Sequence, residues 1–209
     1  MACSTVCPNL RNRPSGARFQ RKKGMPRLYV ALTHYPVVSK RGETIASAVT
    51  NLDLHDISRA ARTYGAKRFY VVTPLADQKI LVERIISHWT KGLGAAYNPA
   101  RRSALDLIQV KDSIADAAEE IESIEKVCPK TVATCARRFP SSISFEAFRD
   151  ILQHGQPHLL IFGTAWGLAE PFISRADYIL EPVSGRTDYN HLSVRSAAGI
   201  ILDRLLGAR

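Results

Sequence analysis

Three places in this 209-residue chain carry side chains able to do chemistry. The first is Arg59, six residues before Gly65 and close to Asn51, His55 and Asp56. A guanidinium keeps its charge at physiological pH, so it suits holding a phosphate or a developing oxyanion better than taking a proton. The plainer alternative is a surface pair with Asp56, three residues away on the same helix face. The second place is Gly163-Thr164-Ala165-Trp166-Gly167-Leu168, directly after an apolar run. Glycines there allow positive φ and close approach of a ligand to the backbone. They equally fit a plain strand-to-helix turn with Trp166 in the core. The third is the long polar run from Glu181 to Ser196, which holds Arg186, Asp188, Tyr189, Asn190, His191 and Arg195. A carboxylate such as Asp188 can accept a proton there, or simply open a turn with Asn190. Asn190 or Ser193 can cap the helix that follows. Arg195 falls in the first turn of that helix, where the dipole disfavours a cation. A residue placed against local preference suggests a task, such as binding a phosphate or a carboxylate.

What is missing narrows the classes. The first strand is not followed by G-x-G-x-x-G, and the chain has no G-x-x-x-x-G-K-[ST]. Both absences count against dinucleotide and P-loop enzymes. The four cysteines form no disulfide framework, and Cys3 and Cys7 lack metal-site spacing, so a reducing, cytoplasmic setting without a metal is expected. No apolar run approaches the roughly 18 residues that cross a bilayer.

These residues must be held by an alternation of strands and helices. Strand patterns cover Leu28 to Thr33, Arg68 to Thr73, Leu107 to Val110, Thr131 to Cys135, His158 to Phe162 and Tyr178 to Leu180. Helical spacing covers Asp53 to Tyr64 (stripe Leu54, Ile57, Ala61, Tyr64, with Gly65 as stop), Asp77 to Trp89, and the acidic Ser113 to Ile124. The last helix runs from about Ser193 to Leu206, with Val194, Ala197, Ile201 and Leu205 on one stripe. The segment from Lys91 to Arg102 reads as a basic linker with one aromatic, able to touch RNA or simply solvated. Strands separated by helices predict an α/β fold, a parallel sheet with helices on both faces. Ligands of such sheets gather at the carboxyl ends of strands, where the second and third places lie.

The net charge is +10, which taken whole suggests a nucleic-acid partner. Nine of the 29 Lys and Arg precede the first acidic residue, Glu43; the remaining 20 face all 19 Asp and Glu. The basicity is mostly an N-terminal property. Residues 1–25 read as a basic, disordered arm, or as sequence upstream of a start at Met25; residues 26–209 read as one domain.

The ordered set of glycine loop, strand, Pro-containing loop and closing helix resembles the SPOUT superfamily of S-adenosylmethionine-dependent RNA methyltransferases. The run from Asp188 to Ala197 is most similar to a small bacterial branch of it, and the resemblance covers Pro26 to Gly207. Arg59, six before Gly65, matches the ribose 2′-O branch, although Asp53 stands where that branch usually has Asn. The resemblance implies a deep trefoil knot formed by the C-terminal segment and a homodimer. It also implies an S-adenosylmethionine site lined by Thr134, Gly163, Thr164, Gly167, Leu168, Leu180, Val183, Leu192, Ser193 and Ala197. Arg59, Asp188 and Arg195 become the catalytic candidates, with Asn51, His55, Arg186, Tyr189, Asn190 and His191 toward the substrate. The acceptor is then ribose 2′-O, through Arg59, or guanine N1, through Asp188, in rRNA or tRNA. The rivals are a non-catalytic RNA-binding module on the same fold and an unknotted α/β enzyme using a nucleotide.

Overall fold

A computed structural model describes residues 26–208; the expected N-terminal arm lies outside the described residues. The first described strand lies inside the sheet, with neighbours on both sides. β1 (Leu28–Thr33, sequence LYVALT) is buried along its whole length, as a parallel strand covered on both faces must be. Its alternate side chains divide between two cores. Leu28, Val30 and Leu32 join one apolar cluster, while Tyr29 and Ala31 join the other. Helices therefore cover both faces, as the alternation of patterns implies.

The order of elements is β1, β2 (Val37–Val38), β3 (Thr44–Ile45), α1 (Asn51–Thr63), β4 (Phe69–Val72), α2 (Ala76–Thr90), α3 (Leu93–Tyr97) and α4 (Pro99–Leu105). Then follow β5 (Ile108–Lys111), α5 (Ile114–Glu125), β6 (Lys130–Ala133), β7 (Ser142–Ile143), α6 (Phe145–Leu152), β8 (His158–Gly163), α7 (Glu170–Ile173), β9 (Tyr178–Leu180) and α8 (Val194–Leu206). Seven strands form one sheet in the order β5-β4-β1-β8-β6-β9-β7, and every pairing in it is parallel. β2 and β3 make a separate antiparallel hairpin.

Local chemistry sets the ends of these elements. Thr50 caps α1, accepting from the Asp53 N–H at 3.2 Å, and Gly65 at φ 77° lets the chain leave it. Leu54, Ile57 and Ala61 form the buried stripe, as their spacing requires. α5 opens on a capping box between Ser113 and Asp116. The buried stripe of α8 is Ala198, Ile201, Leu202 and Leu205, turned by about one position from the expected one, which leaves Val194 and Ala197 half-buried.

Several elements differ from the sequence reading. The segment after Trp89 is not an open linker; it folds into α3 and α4. α6 was not expected, although Ser144 caps it and Phe145, Phe148 and Leu152 bury at helical spacing. The two-residue strands β2, β3 and β7 are too short to leave a periodic signal.

Candidate functional site

The carboxyl ends of β1, β8, β6 and β9 lie side by side in the sheet, and the chain turns there four times. At the end of β8 the turn is tight. Ala165 has φ 51° and Gly167 has φ 100°. A Cβ added to Gly163 would stand 2.6 Å from the Leu168 nitrogen and 2.7 Å from the Gly167 carbonyl carbon. Only glycine lets the strand end pack against its own returning loop.

That loop is docked on the β2–β3 hairpin. The Trp166 N–H donates to the Val38 carbonyl and the Val38 N–H to the Gly167 carbonyl, both at 3.1 Å, and Val37 bridges Leu168. Thr164 is buried. Its N–H and its hydroxyl both donate to the Thr33 carbonyl, at 3.2 and 3.0 Å. The Thr164 hydroxyl also meets the Ser47 hydroxyl, which lies 3.1 Å from His34 Nδ1. A hydroxyl has one proton to give. Since Thr164 gives its own to Thr33, Ser47 donates to Thr164 and His34 Nδ1 donates to Ser47. His34 is fully buried, and among the described residues its Nε2 has no hydrogen-bond partner. Burial pulls its pKa down to about 4, against an opposing pull from the Asp53 carboxylate and the carbonyls of Ala48 and Ser47. The ring is thus neutral at pH 7. Sequence reasoning did not single out His34 or Ser47. The one signal was the position of His34, directly after a buried strand at the edge where ligands gather.

The last loop meets the other turns more loosely. Asn190 Nδ2 donates to the Ala136 carbonyl at 2.7 Å, tying residues 186–193 to the turn after β6. Trp166 does not enter the core; it is exposed, with the His191 ring edge-on at 6.5 Å and Tyr189 6.3 Å beyond. Arg186, Asp188, Tyr189 and His191 are exposed, and Ser193 caps α8 through the Ser196 N–H. Beneath these turns Leu168, Leu180 and Pro182 are buried and Val183 half-buried, while Leu192 stands exposed at the rim. Thr134 fixes the end of β6 by donating its N–H and its hydroxyl to the Ile161 carbonyl, at 3.1 and 3.0 Å. The fold therefore brings together the turns that hold Thr134, Gly163, Thr164, Gly167, Leu168, Leu180, Val183, Leu192 and Ser193.

α1 presents a different set. Arg195, at the start of α8, reaches back to Asp53 Oδ1 and to Asp56 Oδ2, both at 3.6 Å. These pairs give a physical reason for a cation in that first turn: it offsets the buried Asp53. They also take Asp56 away from Arg59. Arg59 is exposed, and among the described residues it has no ion-pair or hydrogen-bond partner. His55 is half-buried with the edge of Trp89 at 5.4 Å, and its Nδ1 has no partner. Burial lowers its pKa first, and Arg101 adds to this; Asp56 opposes, and Arg59 contributes in the same sense as Arg101. Asn51 is exposed at the start of α1. Among the described residues no hydrogen bond, ion pair or ring contact joins Asn51, His55 or Arg59 to the turns at 163–168 or 186–193. Within one chain Asn51, His55 and Arg59 thus touch neither turn, whereas Asp53 at the start of α1 acts on His34 and pairs with Arg195. Among the described residues there is no group of three or more His, Cys, Asp or Glu placed to hold a metal ion, and no helix long and apolar enough to cross a membrane.

Known proteins resemble this arrangement. Residues 27–207 match a family described as SAM-dependent RNA methyltransferase. A tRNA (guanine-N(1)-)-methyltransferase of Oleidesulfovibrio alaskensis is 44% identical over 180 residues, covering 86% of this chain and 42% of that protein. An uncharacterised protein of Aquifex aeolicus is 38% identical over 179 residues, covering 85% of this chain and 87% of that one. The chain thus spans about two fifths of the length of the methyltransferase relative. Among solved structures, the A. aeolicus TrmH/SpoU tRNA modifying enzyme superposes with a TM-score of 0.52 at 17% identity, over 88% of this chain and 76% of that one, a likeness of fold.

Proposed function

The chain belongs to the family of S-adenosylmethionine-dependent RNA methyltransferases, in the SPOUT superfamily, and from that premise we propose that it methylates a ribose 2′-hydroxyl of rRNA or tRNA. In this reading it works as a cytoplasmic homodimer. The observation that carries the reading is that, among the described residues, the exposed Arg59 of α1 is unpaired and has no contact with the turns suited to a nucleoside cofactor. A dimer resolves the separation by setting Arg59 of one subunit against the turns of the other.

The residues present fit the cofactor. Leu180 and Val183 pack with one apolar core and Leu168 with the other, so apolar groups back the turns from both faces of the sheet, suited to the faces of adenine. Backbone groups of the turning chain suit its polar edge. Thr134, Gly163, Thr164, Gly167, Leu192, Ser193 and Ala197 complete the proposed lining. The contact of Asn190 with Ala136 supports a threaded, knotted path for residues 181–193. Bound there, S-adenosylmethionine supplies an electrophilic methyl group on a sulfonium.

The protein's own residues then have little covalent work to do. They would hold the acceptor hydroxyl facing the bound cofactor and keep it oriented there. The hydroxyl proton would leave to solvent or to a carboxylate. Arg59 stabilises the negative charge developing on that oxygen and orients the neighbouring phosphate. Asn51, His55, Arg186, Tyr189, Asn190 and His191 offer groups toward the RNA on either side. Arg195 acts through its pairs with Asp53 and Asp56, holding α8 against α1.

A second acceptor has its own support. Asp188 is exposed in the last loop, and the relative of Oleidesulfovibrio alaskensis is named for guanine N1. A carboxylate there can take the N1 proton. Methyl transfer from labelled cofactor to bulk tRNA and rRNA, followed by nucleoside mass spectrometry, separates these readings. For ribose methylation, Arg59→Ala slows transfer about 10²- to 10³-fold and Asp188→Ala much less. The reverse order with a methylated guanine base assigns N1. RNA binding without any transfer assigns a non-catalytic module.

A further inference from the structure

α2 ends in an aromatic corner that the proposed chemistry does not use. His88 and Trp89 stand at its last turn, with ring centroids 5.1 Å apart and edge-on. The chain then folds straight back. A Cβ on Gly92 would meet the His88 carbonyl oxygen at 2.8 Å, and one on Gly94 would meet Trp89 Cε3 at 2.8 Å. Two glycines thus let α3 lie directly on the Trp89 ring. Arg101 of α4 stands 4.7 Å from the Trp89 centroid, a cation–π contact that fixes the indole. The result is a cleft of about 570 Å³ lined by His88, Trp89, Leu93, Gly94, Ala96 and Tyr97. Tyr97 is 91% exposed and Leu93 87% exposed.

Charge selects the occupant. From Arg84 to Leu105 the chain has four cations, Arg84, Lys91, Arg101 and Arg102, and no carboxylate. A second copy docked here would set these cations against their own kind. A polyanion with flat apolar units would not. The corner also continues into α1, since His55 touches Trp89 and feels both Arg101 and Arg59.

We infer that the α2–α3 corner is an RNA-docking platform, on which an unpaired base next to the modified nucleotide stacks against Tyr97 while Lys91 and Arg102 hold its phosphates. The inference rests on the RNA methyltransferase reading and adds to it where the substrate lies. Base–aromatic stacking tolerates any base, so the platform gives affinity and register rather than sequence choice.

The test uses the full chain, a fluorescein-labelled single-stranded oligoribonucleotide for binding, and bulk tRNA and rRNA with labelled S-adenosylmethionine for transfer. Tyr97→Ala weakens oligoribonucleotide binding about tenfold and raises KM for RNA with kcat unchanged. Tyr97→Trp keeps wild-type affinity, which excludes a folding defect. Arg102→Gln lowers the slope of log affinity against log salt by about one. Wild-type affinity in Tyr97→Ala, with transfer intact, overturns the platform and leaves the methyltransferase reading standing. A change of oligomeric state in Tyr97→Ala by sedimentation also overturns it, assigning the corner to a second copy. Failure of the wild-type chain both to bind and to methylate RNA overturns the reading and the platform together.

Discussion

The loop after β8 and the loop after β9 lie against each other and are built in opposite ways. Residues 163–168 are tied to the hairpin by backbone hydrogen bonds, anchored by the buried Thr164 and closed by a glycine that tolerates no side chain. Residues 184–192 are exposed throughout; among the described residues their links to the neighbouring turns are the Asn190 amide on Ala136 and the loose ring contact of His191 with Trp166. One half of the site is formed before any ligand arrives. The other half has few contacts to lose on adapting to the proposed cofactor and RNA. Preorganisation lowers the ordering cost of binding, while an adaptable loop lets a large substrate enter.

The sharpest way to break this contrast uses its glycines. Gly163→Ala forces the strand end away from Leu168, and the expected cost is about 3 kcal/mol of stability by urea titration. Cofactor affinity by calorimetry falls more than about tenfold with it. Gly185→Ala in the loose loop changes stability by less than about 0.5 kcal/mol, because a Cβ there meets nothing within 4 Å. Equal effects at the two positions would refute the contrast.

Acid gives the next largest effect. The folded-state pKa of His34 is about 4, below the usual 6.5, so the unfolded chain binds the proton more readily. Stability is complete above about pH 6.5 and falls as the pH drops toward 4, by about 3 kcal/mol from this group. His158, its pKa also lowered by burial, acts in the same direction. His34→Gln should flatten most of the change in Tm between pH 6.5 and 4; an unchanged slope would remove His34 from the buried chain of donors.

The smallest effect comes from single hydrogen bonds. Thr164→Val leaves the half-buried Ser47 without its acceptor and the Thr33 carbonyl without its hydroxyl donor, and costs about 1–2 kcal/mol. Asn190→Ala, with its bond at the surface, costs about 0.5 kcal/mol in the same melts. A larger loss at Asn190 would mean that the last loop is as firmly set as the first.

Much of the scaffold was legible in the chain. The strand at Tyr178–Leu180 and the stripe Leu54, Ile57, Ala61 stand where the periodicity put them, because alternation and helical spacing are local properties. α6 carried the same signal in Phe145, Phe148 and Leu152, yet its eight residues lie in a stretch to which the sequence reading assigned no element. The site was legible in part. Gly163, Thr164 and Gly167 were marked by their place after a buried strand. Arg195 was marked by its conflict with the helix dipole. Its partners, Asp53 and Asp56, lie some 140 positions away along the chain, and no spacing rule reaches that far.

By itself, then, the sequence determined the succession of strands and helices, their buried faces, and the turns rich in glycine or polar groups. These follow from steric and solvation preferences that act over a few residues. The tertiary structure alone decided that β8 inserts between β1 and β6, that Thr164, Ser47 and His34 share one line of protons, and that Arg195 takes Asp56, leaving Arg59 unpaired among the described residues. Such pairings depend on distances between segments remote in the chain, and those distances exist only once both cores have closed.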